Sequence, residues 1–375
     1  MIIDGDAARA GEPVAARAIR AATLARRCID LNEAAQARAY AEAALTVLLD
    51  DPSPKVRAAM ADVLSTSAHA PLHLITALAA DQPDVAGYVL ARSLLLTDAD
   101  LVDRVAFGAP VVQRLVAARP HVSCAVSAAI GEVGSPEAVL ELLQNRCARI
   151  AGVSFRRVCE RLGADGPVRE ALLAHPKLPA ECRHILAAKL GETLRSLPLV
   201  SRLLGERRSE KVVRQATSRA SMQIAESCPP EELPALVEHL RLSGEITTAF
   251  ILRATAGGQI DFLAAILAAL SEVEPARIAA ILSRGRPAAL AALFRSAGLA
   301  EATHAPLSTA IAAWRAVTAG ASDAGPAEIA RVMLETVGRG RFAAANDDLA
   351  ALLRAMHLEF MRETAPERLK ALSAA

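Results

Sequence analysis

Aromatic residues make up only 3% of this 375-residue chain, with a single tryptophan. Any core must therefore be built from Ala, Leu, Val and Ile, within a hydrophobic share of 53%. A sheet would call for clusters of aromatic and β-branched residues, and single-strand nucleic-acid binding would call for aromatic stacking platforms. Charge of one sign is also lacking: 42 basic against 41 acidic residues leave a net +1, so no global field draws the chain to nucleic acid or membrane. No run of about 18 apolar residues offers a membrane span. The opening MIIDGDAARAGEP lacks the charged and then apolar regions of an export signal, so a cytoplasmic protein is expected.

Motifs that carry chemistry are missing too. The six cysteines at 28, 124, 147, 159, 182 and 228 contain no C-x-x-C pair, which removes the usual zinc and dithiol frames. Cys124 lies within a helical repeat, and Cys159 and Cys182 fall on apolar stripes, where a thiol behaves as a small hydrophobe. His69 and His73 are four apart, but Pro71 suits a first helical position and leaves His69 ahead of the helix, so the pair loses its common face. The other histidines are scattered. The glycines of AGGQ (256–259) and GRGR (338–341) fit helix stops, not phosphate loops, and Asp347 with Asp348 suits a helix N-terminus. No catalytic residue, metal or cofactor is expected.

What is present is a repeating helical stripe. In DDPSPKVRAAMADVL (50–64), Ser53 suits an N-cap and Pro54 the first helical position. Val56, Ala59, Met60, Val63 and Leu64 then recur at helical spacing. PHVSCAVSAAIGEV repeats this with Val122, Ala125, Val126, Ala129, Ile130 and Val133. Further copies begin at Val85, Phe155 and Cys182. Val56, Val85, Val122, Phe155 and Cys182 are spaced 29, 37, 33 and 27 residues apart, the range of helical-hairpin repeats. A second apolar helix precedes marked ones, as in YAEAALTVLLD and SPEAVLELLQN. The unit is therefore a pair of antiparallel helices that must stack on neighbours to bury both stripes.

The pattern Asp51, Val56, Arg57 resembles the turn and second helix of a HEAT repeat. Residues 33 to about 190 more broadly resemble an uncharacterised family of HEAT-like proteins, a domain of unknown function known mainly from alphaproteobacteria. LLQN (142–145) and AHPKLPAECRHILAAKL (174–190) carry that likeness. The resemblance implies an all-α fold, a HEAT-like α-solenoid, and no mechanism. The later repeats depart from the Asp and Arg pattern, so a regular polar ladder between repeats is not expected.

From Gly191 the chain becomes charged, and it ends this stretch in Pro229 and Pro230. New stripes follow, at Leu233, Leu236, Val237 and Leu240, then Leu263, Ile266, Leu267 and Leu270, then Leu290, Leu293 and Phe294. Trp314 continues a stripe with Leu307 and Ile311, which points to a core role. The expected organisation is an N-terminal arm or helix (1–32), a HEAT-like repeat domain (33–195), a basic helical junction (196–230) and a second all-helical domain (231–375).

Two local basic spots stand out against the neutral total. Arg17, Arg20, Arg26 and Arg27 have no acid between Pro13 and Ile29. Arg195, Arg202, Arg207, Arg208, Lys211, Arg214 and Arg219 stand against Glu206 and Glu210. If helical, this segment sets Arg207, Lys211 and Arg214 on one face and Val213, Ala220 and Ile224 on another. The first three are the candidate partner-binding residues, and the partner expected is a protein with an acidic surface, ahead of nucleic acid. The function expected is a non-enzymatic protein–protein interaction scaffold. The alternative is a DNA-binding HEAT-like protein of the kind that excises damaged bases from duplex held in a basic groove.

Overall fold

The structure, a computed structural model, describes residues 12–198, 202–203, 205–338 and 347–374. The opening MIIDGDAARAG and most of GRGR lie outside the described residues. Among those described, the chain is all-α, with 21 α-helices and no strand. Its contacts divide it into two compact units, Met1–Leu178 and Pro179–Ala375. The division falls ahead of the segment read above as a junction, which belongs to the second unit.

The first unit contains α1 (Val14–Ile29), α2 (Ala35–Leu48), α3 (Pro54–Leu64), α4 (Leu72–Ala79), α5 (Pro83–Arg92), α6 (Asp98–Phe107), α7 (Pro110–Ala117), α8 (Cys124–Val133), α9 (Pro136–Gln144), α10 (Gly152–Leu162) and α11 (Gly166–Ala174). Helices α1, α3, α5, α7, α9 and α11 pack one on the next in a row, and α6, α8 and α10 form a second row. Neighbours in sequence pack across the rows, as in α6 with α7 and α8 with α9, and α4 packs against α3 and α5. The apolar stripes fill the space between: Val56, Met60 and Leu64 on α3, Val85 and Val89 on α5, and Val126 and Ile130 on α8 are all fully buried.

Proline marks the first row. Pro54, Pro83, Pro110, Pro136 and Pro167 stand in the first turns of α3, α5, α7, α9 and α11, at steps of 29, 27, 26 and 31 residues. The preset φ and missing N–H of proline suit that position. The apolar markers used above follow a different course. Val56 and Val85 lie on the first row, but Phe155 lies on α10 in the second row. Val122 precedes α8 and forms a lone parallel bridge with Ala148. The 37-residue step hides three helices instead of two, so that series crosses from one row to the other. On α8 the buried face is Val126, Ser127, Ile130 and Gly131, so Ala125 and Val133 of the predicted stripe are exposed, Val133 by 49%.

Helix starts also depart in detail from their reading. Ser53 is the N-cap of α3, but its side chain accepts no amide. Its own N–H donates to Asp51 Oδ1 at 2.8 Å, so the aspartate shapes the turn. Elsewhere the hydroxyl or carboxylate cap is made, by Ser123, Ser135 and Asp165, and by a full capping box between Thr97 and Asp100.

Polar links between successive pairs are present, but their chemistry changes along the row. Arg17 binds Asp51 with both carboxylate oxygens, at 2.9 and 3.1 Å, and Arg57 binds Asp81 at 2.5 and 3.0 Å. Farther on, the carboxylate is replaced by backbone carbonyls. Arg119 donates to Leu90 and Ser93 at the end of α5, Asn145 to Ala117 and Arg119 after α7, and Arg161 to Ile130, Gly131 and Gly134 at the end of α8. Each satisfies carbonyls that a helix C-terminus leaves without partners.

The hydrogen bonds from Arg57, helped by the Gln82 N–H, outweigh burial and hold the Asp81 carboxyl below its ordinary value. A carboxylate whose folded pKa is depressed adds stability above its unfolded pKa of about 3.9, and that stability disappears as pH falls through the folded value. Asp81→Asn is therefore expected to lose about 1.5–3 kcal/mol at pH 7, the range for hydrogen bonds to charged groups. The gap to the unaltered protein should narrow as pH falls below the unfolded pKa of about 3.9 and through the depressed folded value. Urea titrations across that range check it, and a pH-independent gap would reject the ion pair as its source.

The second unit contains α12 (Ala180–Ser196), α13 (Glu206–Ser227), a short turn of 3-10 helix at Pro230–Glu232, α14 (Leu233–Leu242), α15 (Thr248–Ala256), α16 (Ile260–Ser271), α17 (Pro275–Arg284), α18 (Pro287–Ser296), α19 (Glu301–Thr318), α20 (Pro326–Gly338) and α21 (Asp347–Ala374). Its core gathers Leu236, Leu240, Leu252, Phe262, Ile266, Phe294, Ile311, Met333 and Leu353 around α16. Trp314 is half-buried against this core, and its indole N–H donates to Thr255 O at 2.8 Å. Gly257 and Gly258 end α15, and Asp347 and Asp348 open α21, as their residue types require. Arg315 repeats the carbonyl device of the first unit, donating to Ile281, Leu282 and Gly285 around the end of α17.

Candidate functional site

The basic segment folds as α13, a 22-residue helix. Its inner face carries Ser209, Val213, Ala220, Ser221 and Ile224, buried or half-buried, and it packs on α12. Gly191 of α12 permits that approach: a Cβ there would stand 2.9 Å from Val213 Cγ1. The outer face carries Arg207, Lys211 and Arg214, all exposed, so the predicted separation of the two faces is present.

The cations of the segment have different fates. Arg195 pairs with Glu192 at 2.5 Å, Arg214 with Glu210 at 2.6 Å, and Arg219 with Glu359 and Glu363. Glu359 also binds Arg253 at 2.7 Å. Burial acts to raise its pKa, but the two arginines outweigh burial and hold the carboxyl below its ordinary value. These three cations are spent within the unit. Arg207, Arg208 and Lys211 are not: among the described residues they have no ion pair or side-chain hydrogen bond.

Their position makes this informative. They crowd the first two turns of α13, where the helix dipole is already positive and where acids, not bases, stabilise a helix. Glu206 is the acid of the first turn, and Glu210 is taken by Arg214. Three cations at this end work against the helix that carries them and create a concentrated positive spot open to solvent.

The other basic spot dissolves on folding. Arg17 binds Asp51, Arg20 binds Glu12, and Arg27 binds Glu33 at 3.1 Å. The acids come from outside the stretch Pro13–Ile29, and among the described residues Arg26 alone of the four is left without such a partner.

Folding also gathers residues that were dispersed in the sequence. His184, 1% exposed, contacts Glu245 through Nε2 at 3.0 Å and His239 through Nδ1 at 3.2 Å. This links α12, α14 and the turn after α14. Among the described residues no group of three or more His, Cys, Asp or Glu has the arrangement to hold a metal ion. Of the cysteines, Cys28, Cys159, Cys182 and Cys228 are buried, whereas Cys124 and Cys147 are exposed.

A concavity of about 1140 Å³ in the first unit lies along α9 and α11. Leu140, Ile150, Pro167 and Ala171 are among its apolar lining, and Arg146, Arg149, Lys177 and Glu170 among its charges. A smaller hollow of about 720 Å³ in the second unit is lined by alanines of α16 and α17, with Trp314 and Arg315. Both of these larger side chains are already engaged with backbone carbonyls.

The fold is thus all-helical, with helix pairs packed in rows in the first unit and a separate helical core in the second. Residues 85–347 match the family described as an uncharacterised protein conserved in bacteria, DUF2336, and the chain belongs to that family. No curated protein and no solved structure matches it.

Proposed function

We propose that this protein is a non-enzymatic interaction scaffold of the HEAT-like solenoid type, and that the outer face of α13 docks on an acidic surface of a partner protein. The observation that carries the reading is the unpaired trio Arg207, Arg208 and Lys211 at the positive end of their own helix. Arg214 lies on the same face one turn on, paired there with Glu210. The rows of helix pairs in the first unit support the scaffold reading, because stacked pairs offer a long surface built on a rigid core. No described helix is long and apolar enough to cross a membrane, and a cytoplasmic setting agrees with six free thiols.

The test is affinity capture from the native cell with the full chain and with the variant R207E/K211E/R214E. Capture of the acidic partner is expected to fall at least tenfold in the variant, and to fall likewise when salt is raised, since screening weakens exposed pairs. The melting temperature should stay within about 2 °C, as for other exposed substitutions. Unchanged capture would remove the α13 face from the account. Duplex DNA is the competing ligand. If the chain binds duplex with an affinity that falls by roughly one power of salt per phosphate contact, and the triple reversal abolishes it, the partner is nucleic acid.

A further inference from the structure

The geometry points to a second binding site in the first unit: the groove along α9 and α11 takes an acidic peptide segment that carries an aliphatic side chain between its carboxylates. The cavity is large, about 1140 Å³, at the upper end of what small-ligand sites occupy, so a single inorganic anion would leave most of it empty. Its apolar lining is aliphatic, from Leu140, Ile150, Pro167, Ala171 and Pro176. Its cations are Arg146, Arg149 and Lys177, opposed by Glu170 alone. All four charged residues are exposed, and among the described residues none has an ion pair or a side-chain hydrogen bond.

The backbone beneath these cations is pinned, which distinguishes the site from a chance cluster on loops. Asn145 donates from Nδ2 to Ala117 and Arg119 carbonyls at 2.9 and 2.8 Å, and its Oδ1 accepts from the Cys147 N–H at 3.0 Å. The Arg149 N–H donates to Val122 O at 2.9 Å, next to the bridge between Val122 and Ala148. On the other wall, the His175 ring packs on Phe155 at 4.8 Å, its Nδ1 accepts from the Lys177 N–H at 3.2 Å, and its carbonyl accepts from the Leu178 N–H. Two anchored loops hold the backbone of Arg146, Arg149 and Lys177 around an aliphatic floor, so the ordering cost of binding falls on the three side chains and not on the loops.

The floor decides between ligand classes. A single-stranded nucleic acid would need aromatic faces for its bases. The groove has no Phe, Tyr or Trp, and the His175 ring is already covered by Phe155. An aliphatic side chain flanked by Asp or Glu matches both the floor and the cations. The site is independent of the α13 face, because its residues lie wholly within the first unit.

The experiment is selection of random twelve-residue peptides by display on the full-length chain. Selected sequences are expected to carry Leu, Ile, Val or Met flanked by Asp or Glu. A synthetic, fluorescein-labelled peptide of the selected sequence should bind the R207E/K211E/R214E variant normally and the R146E/R149E/K177E variant at least tenfold more weakly. Both variants should melt like the parent. A second readout keeps the groove charges intact. Cys124 lines the same groove, so alkylating it with a bulky maleimide in a Cys147→Ser background should block the peptide. Selection without acidic enrichment, or a peptide that binds equally after the groove reversal, overturns the site. A twelve-nucleotide oligo-dT that binds more tightly than the peptide and is lost in the same variant reassigns the groove to nucleic acid.

Discussion

Gly258→Ala is expected to destabilise the second unit by about 2–5 kcal/mol, combining backbone strain with overpacking. Gly258 has φ +83°, in the left-handed region, and a Cβ there would stand 2.7 Å from Trp314 Cζ2 and 2.9 Å from Cη2. The ring has no easy retreat, because its N–H is bonded to Thr255 O and its face rests on the core. Gly244 is the control. Its φ is +71°, but nothing lies within 4 Å of its Cβ position, so Gly244→Ala should cost only the strain, about 1–2 kcal/mol. Trp314 is the only tryptophan, and its fluorescence during urea unfolding reports the unit directly. Equal losses in the two variants would contradict the packing described between α15, α16 and α19.

The second large effect is expected at Val126, fully buried on α8, a helix that packs against α6 and α10. Val126→Asp places a carboxylate in an apolar interior with no cation to meet it, which costs several kcal/mol. Ala125, one position earlier, is exposed, so Ala125→Asp should change stability by no more than about 0.5 kcal/mol. Circular dichroism melts of the two variants make the comparison. Near-equal melting temperatures would mean that the stripe on α8 does not face its neighbours.

These two sites also mark how far the sequence could be read. Val126 was legible from its place at the centre of an apolar stripe, but the edges of that stripe were not: Ala125 and Val133 share its spacing and are exposed. The path of the rows was less so. Apolar stripes occur on the helices of both rows, and a series built from them slips between rows at the 37-residue step. The prolines from Pro54 to Pro167 would have held the register, since each serves one helix-start geometry in one row. The packing of Trp314 over Gly258 joins residues 56 apart, and a glycine in a turn does not announce which ring lies above it.

Charge was legible only in part, for a similar reason. Arg207, Lys211 and Arg214 share a helix, so their common face follows from periodicity. Arg17, Arg20 and Arg27 looked equally free, yet each is met by an acid from beyond its own helix, and Asp51 reaches Arg17 across 34 residues. Arg146, Arg149 and Lys177 sit on two loops separated by two helices, and only folding sets them around one groove. Polar links between repeats were not expected beyond Asp51 and Arg57. They persist because Arg119, Asn145 and Arg161 use carbonyls at helix ends, which no sequence pattern displays.

The most direct test of the interaction account is zero-length carbodiimide coupling in the captured complex, read by mass spectrometry. The reagent joins a lysine amine to a carboxylate only where the two touch, and the chain offers lysines at 55, 177, 189, 211 and 370. The account predicts that Lys211 is joined to an Asp or Glu of the partner, and that the link is lost in R207E/R214E, which keeps the lysine. A partner coupled solely through Lys55, Lys189 or Lys370, with Lys211 unmodified, would contradict it.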